Sequence, residues 1–532
     1  MRQQGGLDVV IVGAGFAGLR MLHEVRGLGL STRVIESGSG VGGTWYWNRY
    51  PGARCDIESM EYSYQFSEEL QDDWEWTERY ASQPEILSYI EHVTDRFELR
   101  RDITFDTSVT AATWDDQAGT WLVVTDTGEE MTATFLVMAT GCLSSANVPT
   151  IPGADSFAGA SYHTGRWPHE GVDFTAQRVG VIGTGSSAVQ SIPIIAEQAS
   201  KLTVFQRTAA YAVPAHNGPL DPEEQAAVKA EYAAFREANS QMSAAFGSRS
   251  PMNDVGALAV DDEQRHAEYE RRWQAGGLIF LGAYNDLLLD PVANETAAAF
   301  VRARIRDLVD DPDIAERLSP RQVIGCKRLC VDSGYYTTFN RANVRLVDLT
   351  ATPIEAITPG GIRTTAGDHE LDCIVYATGF DAMTGALLRI DIRGRDGRAL
   401  RDAWAAGPRT YLGLSVAGFP NLFTVTGPGS PSVLTNMIVS IEHHVRWIAA
   451  CIDHVRASGA RVIEVQTEAQ DGWVDYVNAV AGLTLFPTCS SWYLGTNVPG
   501  KTRVFMPLPG FPLYVEQCDA IAAAGYEGFE LS

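Results

Sequence analysis

Two glycine-rich turns are the first places where this 532-residue sequence could do chemistry. Gly13-Ala-Gly15-Phe16-Ala-Gly18 and Gly183-Thr184-Gly185-Ser186-Ser187-Ala188 each offer backbone N–H groups to a pyrophosphate, because small residues let an anion approach a helix N-terminus. The second strands behind the two turns end in different charges. Behind the first, Thr32-Arg-Val-Ile-Glu36 ends in a carboxylate able to accept hydrogen bonds from a ribose 2′-hydroxyl. Behind the second, Lys201-Leu-Thr-Val-Phe-Gln206 ends in an amide, with Arg207 and Thr208 next. A cation and a hydroxyl there suit a 2′-phosphate that a carboxylate would repel, so the second site should take NADPH in preference to NADH.

The elements that must position these turns are legible around them. Asp8-Val-Val-Ile-Val12 and Arg178-Val-Gly-Val-Ile182 are apolar runs of buried-strand type, and each runs straight into its glycine turn. Leu19 to Arg26 reads as the helix after the first turn. Ala188 stands where the first motif has its third glycine, a change that still permits close packing of helix on strand. Two later strands end alike, Phe135-Leu-Val-Met-Ala139-Thr-Gly141 and Cys373-Ile-Val-Tyr-Ala377-Thr-Gly379. From about Pro219 to Arg321 the texture turns to Ala, Glu and Arg with apolar residues at helical spacing, which predicts a helical insertion. The fold class is therefore α/β, with two Rossmann-like dinucleotide-binding domains and a helical insertion in the second.

Bulk composition narrows the partners. A chain this long should form two or three domains. Its formal net charge of −25 argues against nucleic acid, and no apolar run has the length of a membrane span. The first six residues lead directly into a strand, leaving no room for a signal peptide, so a cytoplasmic protein is expected. Eight scattered cysteines without a C-x-x-C pair read as reduced thiols, and no metal site is indicated.

Three further stretches could act on a ligand. Gly42-Gly43-Thr44-Trp45-Tyr-Trp-Asn-Arg-Tyr-Pro-Gly-Ala-Arg54-Cys-Asp56 combines glycines and aromatics in a way that suits close approach to a flat ligand, or else a packed structural loop. Phe157-Ala-Gly159-Ala-Ser-Tyr-His163-Thr-Gly-Arg-Trp167-Pro168 contains a histidine that invites an acid–base role. Gly325-Cys-Lys327-Arg328-Leu-Cys330 places two cations beside two cysteines. From residue type alone, Asp56 and Arg328 could be a structural salt bridge.

Together these stretches resemble the type I Baeyer–Villiger monooxygenases. Phe157-x-Gly159-x-x-x-His163-x-x-x-Trp167-Pro168 is similar to that family's signature, and relatives lacking its chemistry usually differ at Trp167-Pro168. The resemblance runs from Val9 to about Lys501, with only the helical insertion lacking distinctive motifs. It implies an NADPH-dependent flavoprotein monooxygenase that converts ketones to esters or lactones through an anionic C4a-peroxyflavin. Arg328 would stabilise the negative charge, and Asp56 would hold Arg328. The first nucleotide becomes FAD, held by Gly13, Gly15, Phe16, Gly18, Glu36, Gly43, Thr44, Trp45, Asp56, Tyr62, Val109 and Met437. NADPH would contact Arg54, Thr184, Gly185, Ser186, Ser187, Gln190, Arg207, Thr208, Lys327, Arg328 and Trp492. Pro431, Ser432, Val433 and Leu434 would line the ketone pocket, at a Gly/Pro turn between a strand and a helix start. A general acid would protonate the peroxide and spoil its nucleophilicity, so Phe157, Gly159, His163 and Trp167 read as a structural connector between the NADPH domain and the flavin site.

The implied division of the chain is an FAD domain at 1–142 and 380–532, an NADPH domain at 143–214 and 324–379, and the helical insertion at 215–323. A mobile lid over the nicotinamide cofactor falls near 485–503. The partners are a small ketone and O2, in a monomer or weak homo-oligomer. The alternatives are an S- or N-oxygenating flavin enzyme and a non-catalytic sensor of flavin and NADPH.

Overall fold

The computed structural model describes residues 6–498, 500 and 510–532. The strand Leu7–Val12 lies inside an eight-stranded sheet, between parallel neighbours Thr32–Ile35 and Glu130–Met138, with Ile11 in register with Val34 and Val137. It is apolar on both sides because both faces are covered. Val9 and Ile11 join a core with Leu19 and Met21 of the helix Phe16–Gly27, whereas Val10 and Val12 join Trp114 and Trp121 on the other face. The sheet continues antiparallel through Thr120–Thr125 and Val109–Asp115. Asp391–Arg393 and Leu422–Thr424 return from far down the chain to add parallel strands.

A second sheet of five parallel strands runs in the order Val344–Asp348, Lys201–Gln206, Arg178–Ile182, Cys373–Tyr376 and Ala160–His163. The fold is thus α/β with two Rossmann-like sheets, as the paired glycine turns imply. Gly13 and Gly18 show why the first turn needs glycine. Gly13 has φ of +105°, and a Cβ on Gly18 would lie 1.8 Å from the Gly13 carbonyl oxygen, so the helix can approach the strand end only without a side chain there.

The two "A-T-G" strand ends lead into segments that meet. The Asn147 N–H donates to the Gly379 carbonyl at 2.9 Å, and Ala146 bridges Phe380. Between Lys201–Gln206 and Cys330 lie the helices Pro222–Ala230, Tyr232–Ser240, Asp262–Ala275, Pro291–Leu308 and Pro312–Leu318. Four of them start at an aspartate, Asp221, Asp261, Asp290 or Asp311, whose carboxylate accepts first-turn N–H groups. Among the described residues, no helix is long and apolar enough to cross a membrane.

Candidate active site

The two dinucleotide helices differ from the capped insertion helices. Phe16–Gly27 and Ser186–Gln198 begin at Gly15 and Gly185, with no side-chain cap and no acid in the first turn. Their N-terminal N–H groups are therefore available to an anion of the kind a pyrophosphate supplies. A Cβ on Gly185 would meet nothing within 4 Å, so space over that turn is open. Glu36 is buried, its Oε2 accepting from Ala14 N–H at 2.6 Å and its Oε1 from Gly38 N–H at 2.8 Å. Burial raises its pKa, while these backbone donors oppose the rise. The carboxyl is thus fixed beside the first glycine turn.

The residues expected to hold the 2′-phosphate also converge. Lys327 and Arg207 are close enough to repel. The Lys327 ammonium is held below its usual pKa first by burial and then by the Arg207 charge. Neither pairs with a carboxylate among the described residues. Two cations so placed form a donor set for a doubly charged phosphate. Both nucleotide sites therefore fit their expected cofactors. Nearby, Thr184 donates to the Thr208 carbonyl at 2.6 Å and the Ser186 hydroxyl lies 3.5 Å from Cys330 Sγ. Gln190 ties the helix to the aromatic loop, accepting from the Tyr50 hydroxyl at 2.8 Å and donating to the Arg54 carbonyl at 3.1 Å. Ser187 also contacts Tyr50. The Arg54 side chain turns toward Glu78 at 2.9 Å and the Tyr80 carbonyl.

In the aromatic loop, Thr44–Trp47 forms one helical turn after Gly43, and the Trp45 indole N–H donates to the Tyr62 hydroxyl at 3.2 Å. Val109 starts its strand in the flank of the core that holds Val10 and Val12. Asn436 caps the helix Met437–Ser458, accepting from Ile438 N–H. Pro431 precedes the short turn Ser432–Leu434.

At the centre, Arg328 and Asp56 meet from 272 positions apart. Nε and Nη2 of the guanidinium donate to the two carboxylate oxygens, both at 2.8 Å. Nη1 donates to the Val433 carbonyl at 2.5 Å. The side chains are only 20% and 22% exposed. Burial alone would discourage the charge on Arg328, but the Asp56 carboxylate outweighs it and raises the pKa, so the cation is permanent.

The fingerprint stretch links the second sheet to the aromatic loop. His163 ends the edge strand Ala160–His163; its Nδ1 accepts from Gly165 N–H at 2.9 Å, and Nε2 lies 3.3 Å from the Thr378 hydroxyl. Burial lowers its pKa, which keeps it neutral. Trp167 is buried against Tyr162 and Phe174, and its N–H donates to the Trp47 carbonyl of the aromatic loop at 3.4 Å. A Cβ on Gly159 would lie 2.2 Å from the Asp372 carbonyl and 2.7 Å from the Phe157 ring.

Trp492 and Tyr493 sit in the turn Trp492–Leu494 with ring centres 4.2 Å apart. Residues 499 and 501–503 of the expected lid lie outside the described residues. One expectation fails in this region. Cys326 and Cys489 form a disulfide, with Cα atoms 6.2 Å apart, so the cysteines are not all reduced thiols. The 163 positions between them concealed the pairing, which exists because the base of the lid folds back onto the arginine segment. The other six cysteines are free and buried. Sequence reasoning also missed Tyr50, Tyr493 and the Val433 carbonyl. Tyr493 could have been found only as the neighbour of Trp492; a backbone carbonyl leaves no residue-type signal.

This combination defines a flavoprotein oxidoreductase with two dinucleotide sites, and comparison with known proteins refines it. A family model described as pyridine nucleotide-disulphide oxidoreductase matches residues 10–246. The Baeyer-Villiger monooxygenase of Pseudooceanicola batsensis is 43% identical, over 98% of this chain and 95% of its own. The phenazine N-monooxygenase of Lysobacter antibioticus is 41% identical, over 98% and 97%. The solved structure of an oxidized steroid monooxygenase bound to NADP is 54% identical, covers 99% of both chains and superposes with a TM-score of 0.94. The chain belongs to the Baeyer–Villiger monooxygenase family.

Proposed function

We propose that this protein uses FAD, NADPH and O2 to convert a small ketone to an ester or lactone, giving NADP+ and water. The observation that carries this reading is the guanidinium of Arg328, fixed in one orientation by two bonds to Asp56 and one to Val433. Bound FAD, reduced by NADPH, supplies the activated oxygen atom from O2. The remaining requirements fall on the protein. Oxygen insertion beside a carbonyl builds negative charge on the reacting oxygens, and that charge must be stabilised without being quenched by a proton. Arg328 meets both demands, because it is always charged and cannot act as an acid near neutral pH. Asp56 holds it in place. His163, kept neutral by burial, has no acid to offer and positions the chain between the two sheets. Arg207 and Lys327 select the 2′-phosphate of NADPH. Pro431 to Leu434 would border the ketone, since the Val433 carbonyl reaches Arg328. We place the enzyme in the cytoplasm, as a monomer or weak homo-oligomer.

The 41% identity to an N-oxygenating relative favours a second reading, oxidation of a heterocyclic nitrogen. That reaction needs a protonated oxidant, so it would not need Arg328. The test is product analysis of purified protein with NADPH, O2 and mixed panels of aryl, cyclic and steroid ketones and of nitrogen heteroaromatics. An ester one oxygen atom heavier than its ketone, lost in Arg328→Ala by about 10²–10³-fold, supports the first reading. N-oxide formation that survives Arg328→Ala supports the second. Binding of both nucleotides with no NADPH oxidation would overturn both.

A further inference from the structure

Arg328 has five N–H groups. Asp56 takes two of them and Val433 a third, all toward one side and the backbone. Each Nη therefore keeps one N–H to be placed. Tyr493 presents its hydroxyl to this guanidinium. Its ring is 4% exposed and has little freedom. Phe486 meets it edge-on at 5.7 Å and Trp492 lies 4.2 Å away. The ring also shares an apolar cluster with Cys142, Met383 and Val433. Val433, whose carbonyl holds one Nη, and Tyr493 thus belong to the same apolar cluster.

The backbone under Tyr493 is fixed as well. The Ser491 hydroxyl accepts its N–H at 3.3 Å. Four residues earlier, Cys489 is bonded to Cys326, two residues ahead of Arg328. Tyr493 and Arg328 are therefore mounted on one cross-linked block. The phenol keeps its own proton because burial pushes its pKa up to about 12, so its oxygen is available to Arg328 as a neutral acceptor. It is an acceptor for Arg328 that does not compete with Asp56 for the charge.

We propose that Tyr493 is a positioning residue for Arg328, whose hydroxyl fixes the edge of the guanidinium that Asp56 leaves free. Without it, a half-buried N–H would lose its acceptor, and the guanidinium would rotate toward another oxygen. The inference rests on the catalytic reading of Arg328 above, and its test separates the two. Tyr493→Phe keeps the ring and removes only the oxygen. In protein with nitrogen-15 arginine, the Arg328 Nε–H resonance is identified by its loss in Arg328→Lys. In Tyr493→Phe this resonance should shift or broaden while FAD content and melting temperature stay at wild-type values. In turnover, kcat for ester formation should fall about tenfold with ketone KM changed less than about twofold, because a bond to the cation, not the pocket, is lost. In the Arg328→Ala background, adding Tyr493→Phe should change NADPH oxidation no further. An unmoved Arg328 resonance, or an equal loss from Tyr493→Phe with and without Arg328, would overturn the proposal. The resonance reads Arg328 directly, so it decides the matter even if no ketone is oxidised.

Discussion

Replacing Asp56 by asparagine tests the central ion pair with minimal change of shape. Asp56 makes two charge-assisted bonds of 2.8 Å to Arg328. Asparagine keeps one acceptor and turns an NH2 group onto the other donor. One bond to a charged group, about 1.5–3 kcal/mol, is lost, and a mostly buried N–H is left facing another donor. We expect about 3 kcal/mol of lost positioning, or roughly 100-fold in kcat, since each 1.36 kcal/mol is about tenfold. Because Val433 still accepts from Nη1, Arg328 should not leave the site altogether. The assay is ester formation at saturating NADPH, read by gas chromatography, with FAD content and melting temperature as controls. Combining Asp56→Asn with Arg328→Ala should cost no more than Arg328→Ala alone. If Asp56→Asn kept kcat within about threefold of wild type at equal FAD content, Asp56 would not be what orients the cation, and the mechanism would lose its anchor.

Other consequences can be measured in parallel. Arg207→Ala and Lys327→Ala should each raise KM for NADPH about tenfold while leaving KM for NADH nearly unchanged, since only NADPH carries the phosphate we propose they bind; equal loss for both nucleotides would remove them from the 2′-phosphate site. His443 is buried with no partner for Nε2, and burial lowers its pKa to about 4. Its contribution to stability is complete above pH 6.5 and is lost as pH falls from 6.5 toward 4, by about 3 kcal/mol over that window. Glu61 acts in the opposite sense, because its pKa is raised to about 7. The readout is therefore the difference in melting temperature between wild type and His443→Leu across that range, and a difference independent of pH would refute the assignment. Reducing the Cys326–Cys489 bond should lower stability by about 2–5 kcal/mol, since it closes a long loop. Differential scanning with and without reductant, alongside mass spectrometry of the linked peptide, checks this.

The strands flanking the glycine turns were legible because burial on both faces writes itself as unbroken apolar runs. Arg178–Ile182 and Lys201–Gln206 appear with the bounds the sequence suggests. The first helix begins at Phe16, earlier than its apolar pattern indicates, because the glycine turn itself sets the start. Asp56 and Arg328 were paired only through their motifs; nothing local to either residue announces a partner 272 positions away. The contacts that escaped are of the same long-range kind. Cys326 finds Cys489 only because the chain returns, and Tyr493 reaches Arg328 through the same return. Arg54 illustrates the converse, a motif residue whose side chain is already occupied by Glu78.

The disulfide also sets a tether length. Trp492 follows Cys489 by three residues, and three extended residues span at most about 11 Å. While the bond to Cys326 is intact, Trp492 cannot swing away from the arginine segment by more than that reach plus the 6.2 Å between the bridged Cα atoms. Arg328, just ahead of the strand Cys330–Asp332, and Trp492 are thus held on one leash, and a displacement of either beyond that reach must carry the other with it. With Trp492 as the proposed cover of the nicotinamide, wide opening of that cover would pull on the segment that bears the cation.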